Sequence, residues 1–289
     1  MRIRKVVLPV AGFGTRVLPA SKVVPKEMLP LVDKPIIQYL VEEAVAAGAE
    51  EIIFVTSRGK RAIEDQFDAF PELEAILEHK GKQKELDELR RLQHMASYAS
   101  VRQPQPLGLG DAVLRAKELV GDEPFLVMLG DELVAPETPC FPHMIEAYDT
   151  YKGSVLSLFT SPRDQVSSYG IVSKQELGNG VVKVTHLVEK PKPEEAPSDL
   201  AVAGRYLLTP DIFEKLEHVQ PGSGGEIQLT DALEMQAREG HCYGIEFEGE
   251  RYDTGNPLGL VTTNIAYALK REDIGPALRE YMRQALEKE

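Results

Sequence analysis

The sequence predicts an α/β chain with a mostly parallel sheet flanked by helices, a smaller antiparallel lobe after it, and C-terminal helices. Three patterns lead there. Apolar runs alternate with helix-period segments through the first half, as strands joined by helical crossovers do. Short strands separated by turn residues dominate the second half. From Pro257 onward the apolar spacing is helical again.

Element by element, the first strand is Ile3 to Val10. Ile37, Leu40, Val41, Ala44 and Val45 then recur at helical spacing, with Pro35 near the start and Gly48 just past the end. Ile52 to Val55 is the second strand, and Ala62, Ile63, Gln66, Phe67 and Phe70 form the next helical stripe. Glu72 to Ser97 is charge-rich, helical and broken at Gly81, a surface insertion. Ala112, Val113, Ala116 and Leu119 mark a helix after a glycine loop, and Phe125 to Leu129 is a later buried strand. In the second half Ser154 to Phe159, Tyr169 to Ser173 and Val181 to Val188 are strands, the last two joined through Gly178-Asn-Gly180, a good hairpin turn. Leu258, Val261, Ile265 and Leu269 share one side of a final helical region, which caps the fold or pairs subunits.

Composition narrows the class. With 43% hydrophobic and 27% charged residues among 289, the chain has material for one large domain or two small ones. Asp and Glu outnumber Lys and Arg by 46 to 33, and the net charge of −13 is the wrong sign for a general nucleic-acid binder. A phosphorylated small molecule would have to be met by local cations or a metal. The two cysteines, Cys140 and Cys242, are too far apart for a thiol redox or zinc motif, which fits a reducing cytoplasm. No run approaches the roughly 20 apolar residues of a membrane span, so the expectation is a soluble protein.

The segment Leu8-Pro-Val-Ala-Gly-Phe-Gly-Thr-Arg16 is a glycine turn leaving a strand, with a cation at its end. Glycines there let backbone N–H groups approach a phosphate. The dinucleotide fingerprint would need glycine at Val17, and the P-loop would need Gly-Lys-Ser/Thr; both are missing. Alone, the turn serves a structural bend as well as a ligand. Ser21-Lys-Val-Val-Pro-Lys-Glu-Met-Leu-Pro30 and Leu31-Val-Asp-Lys-Pro-Ile36 follow, three lysines in one loop, with Lys26 fixed by the prolines and the apolar return around it. Gln103 precedes a second glycine loop, Pro106-Leu-Gly-Leu-Gly110, where a side-chain amide beside backbone amides offers both donor and acceptor. Gly130-Asp-Glu132 puts carboxylates at the end of a buried strand, where open α/β sheets bind ligands, although a single Asp there is commonly just a turn former.

Ala11-Gly-Phe-Gly-Thr-Arg16, Pro25-Lys-Glu-Met-Leu-Pro30, Lys34-Pro35, Gln38-Tyr39 and Val41-Glu-Glu-Ala44 resemble the sugar-1-phosphate nucleotidyltransferases, most closely the bacterial UTP:glucose-1-phosphate uridylyltransferases, and the likeness continues through Gly255. The resemblance implies a Rossmann-like domain with a nucleotide-binding half over about 1–135, a sugar-binding half over about 136–256 and C-terminal helices over about 257–289. It implies that Gln103 and Gly108 read uracil, with Ala11, Gly12, Gly14 and Glu27 lining the nucleotide. Arg16 and Lys26 would serve the triphosphate, and Asp131 and Asp253, in Tyr252-Asp-Thr-Gly255, would hold Mg²⁺. Gly170, Glu189 and Gly204 would hold glucose and Lys190 its phosphate, although without the family likeness Glu189-Lys190 reads as a surface pair before a proline. Gly224-Gly-Glu-Ile-Gln-Leu-Thr-Asp231 is also family-like, a helix start near the sugar pocket. Two positions depart from the family: Asp111 where histidine is common, and Glu132 where a second Asp is common.

The reaction so implied takes UTP and glucose 1-phosphate to UDP-glucose and pyrophosphate, in a cytoplasmic homodimer or homotetramer without nucleic-acid or membrane partners. A phosphate monoester has its second pKa near about 6, so the nucleophile is already an anion and no general base is required. In agreement, the sequence has no His-Glu-x-x-His pattern and no Gly-x-Ser-x-Gly elbow. The alternatives are a thymidylyl- or adenylyltransferase of the same superfamily and a non-catalytic nucleotide sensor. The sensor would be expected to have lost a lysine or a metal aspartate, and all are present. A nicotinamide-dependent oxidoreductase fails at Val17.

Overall fold

The computed structural model describes residues 3–222 and 225–288. Its strands are β1 (Lys5–Pro9), β2 (Pro30–Leu31), β3 (Lys34–Pro35), β4 (Glu51–Thr56), β5 (Ser97–Arg102), β6 (Phe125–Met128), β7 (Glu132–Val134), β8 (Ser154–Thr160), β9 (Gly170–Gly178), β10 (Val181–Glu189), β11 (Leu200–Leu208), β12 (Cys242–Glu246) and β13 (Arg251–Asp253). Nine of them form one sheet in the order β5-β4-β1-β6-β11-β8-β12-β10-β9. The β5-β4-β1-β6 part is wholly parallel. Beyond it β11 runs antiparallel to both β6 and β8, and β9 and β10 form an antiparallel hairpin.

Alternation along the parallel strands explains why helices cover both faces. Val6, Leu8, Ile52, Phe54, Leu126 and Met128 point into one apolar core. Their neighbours Val7, Ile53, Val55, Phe125 and Val127 point into the other. The helix Ile36–Ala46 packs Ile37, Leu40, Val41 and Ala44 on the first face. The helices Leu109–Arg115, Ile212–His218 and Leu229–Arg238 contribute to the second. The hairpin turn is as expected: Asn179 and Gly180 have φ of 54° and 74°, the positive pair that a two-residue type I′ turn requires.

Several expected elements differ. The stripe from Ala62 to Phe70 is helical only over Arg61–Asp65. Pro71 disfavours helical geometry at Phe70, which sits at φ −126°, ψ 75° and is exposed. The charge-rich insertion is the helix pair Pro71–His79 and Gln83–His94, but β5 after it was not anticipated. As the edge strand it is only partly buried, so it lacks an apolar run; Tyr98 still stacks on Phe67, ring centres 4.9 Å apart. β12 was also missed, because Gly244 interrupts its pattern. A Cβ there would lie 2.3 Å from Leu158 Cδ1, so the neighbouring strand excludes any larger residue. At the C-terminal end the expected stripe faces outward, with Leu258 and Val261 72% and 56% exposed. The helix Pro257–Lys270 instead buries Thr263 and Ala268 and packs Leu260 and Tyr267 against the core. Asn264 on it accepts from Val32 N at 2.8 Å and donates to Pro30 O at 3.2 Å, holding the β2–β3 ribbon.

Both cysteines are free and buried, and burial pushes the Cys140 thiol up to about 12. Among the described residues no helix is long and apolar enough to cross a membrane. Arg205, at 0% exposure the largest fully buried side chain, is clamped by Glu43 Oε1 and Oε2 at 2.8 and 2.7 Å and donates to Glu132 O at 2.8 Å. Glu43→Ala would strand this guanidinium away from water. It is expected to cost about 3–5 kcal/mol, read as a lowered urea midpoint; a change under about 1 kcal/mol would contradict the assignment.

Candidate active site

The glycine turn after β1 begins at Val10, whose N–H still donates to Val55 O at 3.0 Å. Gly14 takes φ +65°, and a Cβ on it would lie 3.1 Å from Lys26 Cβ and 3.2 Å from Ser21 Cβ. Its small size therefore lets the lysine loop pack against the turn, and Ser21 Oγ locks the two together through Gly14 O at 2.7 Å. Short 3-10 turns over Thr15–Val17 and Lys26–Met28 then present Arg16 and Lys26.

Both cations reach one oxygen. Lys26 Nζ lies 2.6 Å and Arg16 Nη2 3.1 Å from Asp131 Oδ2. Burial works to raise the Asp131 carboxyl, but Lys26 and then Arg16 outweigh it, holding the group below the ordinary carboxylate range. The backbone brings up a second carboxylate. β7 pairs with β13 so that Glu132 faces Asp253, and Asp131 O accepts from Thr254 N at 2.8 Å and Thr254 Oγ1 at 3.0 Å. Asp253 is fixed by Gly255 N on Oδ1 at 2.7 Å and Asn256 Nδ2 on Oδ2 at 3.1 Å. The point where Gly255 would carry a Cβ lies 2.6 Å from Arg16 Nη2, 2.7 Å from Asp131 Oδ2 and 2.9 Å from Asp253 Oδ1.

Two carboxylates at one point suit a hard divalent cation that completes its shell with phosphate and water. No cluster of three or more His, Cys, Asp or Glu able to hold a metal occurs among the described residues. Glu132 does not join the pair. Its oxygens take Arg251 Nη1 at 2.8 and 2.6 Å, and the guanidinium lies 3.7 Å above the Phe159 ring. Burial pushes the Glu132 carboxyl up, against the pull of Arg251 and with Asp131 and Asp253 adding to the rise.

The second glycine loop is zipped to the chain ahead of the helix Leu229–Arg238: Gly110 N donates to Ile227 O at 2.8 Å and Ile227 N to Leu107 O at 2.7 Å. A Cβ on Gly108 or Gly110 would lie 2.8 or 2.7 Å from Ile227 O, so this close approach requires both glycines. Gln103, one residue past β5, is 6% exposed. On the far hairpin Glu189 Oε2 accepts from Thr230 Oγ1 at 2.6 Å, and Lys190 Nζ lies 3.1 Å from Glu189 Oε1. Gly170 abuts this pair: a Cβ on it would lie 3.2 Å from Glu189 Oε2.

One open cavity of about 690 Å³ is lined by Ala11, Gly12, Arg16, Gln103, Gly108, Asp131, Gly170, Glu189, Lys190 and Asp253, with Glu132, Tyr169, Glu226, Gln228 and Thr230. A second cavity of about 680 Å³ has four glutamates and no Lys or Arg in its wall, so it is unsuited to phosphates. Four expected residues lie behind the first cavity's wall. Lys26 reaches Asp131 from there, Gly14 packs against Lys26, and Gly204, at φ +66°, makes room for Glu132 Cγ, 3.0 Å from where its Cβ would be. Glu27 is 0% exposed and paired with Lys60 Nζ at 2.8 Å, beneath the loop and away from the cavity. Of the Gly224-to-Asp231 segment, Gly224 lies outside the described residues, and the helix starts at Leu229. The sequence reading missed Lys60, Arg251 and Thr230. Arg251 and Thr230 stand next to or inside quoted motifs, whereas nothing around Lys60 marks it.

A strand-end carboxylate pair, two cations converging on one of its oxygens and a glycine loop beside the Gln103 amide suit a nucleotidyl-transfer site. The chain belongs to the nucleotidyl transferase family, whose model matches residues 5–269. It is 45% identical over 288 residues to the UTP–glucose-1-phosphate uridylyltransferase of Bacillus subtilis (strain 168), covering 100% of this chain and 99% of that one. It is 48% identical over 283 residues to UTP–glucose-1-phosphate uridylyltransferase 2 of Staphylococcus saprophyticus, covering 98% of each. Among solved structures, a UDP-glucose pyrophosphorylase complexed with UDP-glucose superposes with TM-score 0.85 at 43% identity, over 93% of this chain and 100% of that one. A UTP-bound UGPase from Acinetobacter baumannii gives 0.88 at 41% identity, over 97% and 98%.

The three atoms nearest a Cβ at residue 255 would all be side-chain tips. Gly255→Ala is therefore expected to keep the thermal midpoint within about 3 °C while nucleotidyl transfer falls by roughly a hundredfold, since the displaced groups are those at the carboxylate pair. Unchanged transfer rates would show that this point is not where the site works.

Proposed function

We propose that the protein joins UTP and glucose 1-phosphate to form UDP-glucose and pyrophosphate, as a uridylyltransferase. The observation that carries the reading is the convergence of Arg16, and of Lys26 from behind the wall, on Asp131 beside Asp253, at a cavity lined also by Gln103 and the Glu189-Lys190 pair. Enzymes of this family generally use a divalent metal; we assign Mg²⁺, with Asp131 and Asp253 as its protein ligands. When bound, it supplies positive charge against the phosphate oxygens as charge develops there.

The chain's own residues position two anions that repel each other. Lys190 holds the sugar phosphate, whose second pKa of about 6 leaves it ionised at neutral pH. An oxygen of that phosphate attacks the α-phosphorus of UTP, the bond from α-phosphorus to the bridging oxygen breaks, and pyrophosphate leaves in line. No proton has to move. Arg16 and Lys26, which neutralise Asp131 in the structure, turn to the triphosphate oxygens as the nucleotide enters and stabilise the charge on the pyrophosphate that leaves. Gln103 and Gly108 take the uracil edge; Gly170 and Glu189 take the glucose hydroxyls, with Thr230 orienting the Glu189 carboxylate. Ala11 and Gly12 line the nucleotide, and Gly14, Glu27 and Gly204 act from behind the wall by shaping it. The reading assigns the nucleotide to the half over about 1–135 and the sugar to about 136–256. It extends to a cytoplasmic homo-oligomer, which the exposed Leu258 and Val261 support.

The test is pyrophosphate release from glucose 1-phosphate with UTP, dTTP, ATP, CTP and GTP, in Mg²⁺ and then in EDTA. Strong release with UTP that EDTA abolishes is expected. Preference for dTTP or ATP would overturn the base assignment, and no release with any nucleotide would overturn the reaction. Lys26→Ala and Lys190→Ala are each expected to lower turnover by about a hundredfold or more with normal folding; near-normal turnover in either would remove that residue's role.

A further inference from the structure

Asp111 is 1% exposed, yet it lies next to the cavity wall in the first turn of the helix Leu109–Arg115. Its Oδ1 accepts from Arg115 Nη2 at 2.6 Å and its Oδ2 from Gln103 Nε2 at 2.9 Å. The same Gln103 nitrogen donates to Gly108 O at 3.0 Å. Both amide protons of Gln103 are thereby used inside the protein. Among the described residues nothing donates to Gln103 Oε1, so the oxygen is the part of the amide left for a ligand in the cavity that Gln103 lines.

A carboxylate paired with a guanidinium only accepts hydrogen bonds, so it can face only the nitrogen of a neighbouring amide. With an uncharged partner offering both donor and acceptor in place of Asp111, Gly108 O alone would still demand the nitrogen, so one acceptor instead of two would hold the orientation of the Gln103 amide. The geometry points to Asp111 as a positioning residue for base selection: held by Arg115, it fixes the Gln103 amide so that the cavity presents an acceptor to the nucleobase. An acceptor at that place favours a pyrimidine whose ring nitrogen carries hydrogen, as N3 of uracil does. It disfavours cytosine, whose N3 is a lone pair. This inference rests on the uridylyltransferase reading and deepens it, since it assigns the discrimination to a residue that touches no substrate.

The experiment compares UTP with CTP, by steady-state pyrophosphate release, in the wild type and in Asp111→Asn, a near-isosteric change that removes the acceptor-only constraint. The UTP/CTP ratio of kcat/KM is expected to fall about tenfold or more through KM, with kcat for UTP within about threefold of the wild type. In a Gln103→Ala background the same substitution is expected to change the ratio by less than about twofold, because Asp111 acts through Gln103. Arg115→Lys, on the 40%-exposed side of the pair, provides a second variant that keeps a cation for the buried carboxylate while loosening its hold, and a smaller fall in the ratio is expected. An unchanged ratio in Asp111→Asn, an equal loss of kcat with both nucleotides, or an undiminished effect without Gln103 would each overturn the inference while UTP preference in the wild type stands. A wild type with no preference for UTP over CTP would overturn the functional reading and the inference together.

Discussion

Asp131 is where three separated stretches of chain are drawn together. Its side chain takes Lys26 and Arg16 from the loops after β1, while its backbone oxygen takes both the amide and the hydroxyl of Thr254. A carboxylate set at the end of a buried strand would be costly alone, because burial disfavours its charge. Two cations offset that cost. The pairing also sets the electrostatics of the cleft, with the Asp131 acid matched by two cations held in place by the chain.

The same economy governs the departure at Glu132. A third free carboxylate beside Asp131 and Asp253 would add repulsion between like charges at one place. Arg251 removes it from play by holding both of its oxygens through Nη1 while its guanidinium sits over the Phe159 ring, so the residue ties the ribbon β7–β13 to an aromatic side chain of β8. Gly204 accommodates this arrangement from below, which accounts for a glycine in the middle of a strand whose nine residues are all buried.

Much of the architecture was legible because it rests on local patterning. Continuous apolar runs gave β1, β4 and β6, and Asn179-Gly180 gave the hairpin, since each is dictated by burial or by backbone sterics within a few residues. What was missed depends on distant neighbours. β5 lacks an apolar run because it is an edge; β12 hides behind a glycine required by Leu158; and Leu258 and Val261 face outward because Asn264 and Tyr267 define the inner side of their helix. At the site, motif residues converge on one cavity, but no sequence feature distinguished a residue in the wall from one behind it. Glu27 stands beside Lys26 in the same motif and points the opposite way, toward Lys60, a lysine more than thirty positions along that no local pattern connects to it.

The position of β12 bears on how the chain comes together during synthesis. It lies between β8 and β10, both of which precede it, and it pairs in parallel with one and antiparallel with the other. Until residues 242–246 leave the ribosome, the sheet has an open slot with two unsatisfied edges facing each other. Contacts of such long sequence separation form slowly, and exposed edges invite pairing with other chains. Completion of the second lobe therefore waits for residues 242–246, and the interval between the synthesis of β10 and that of β12 is when these edges stay unpaired.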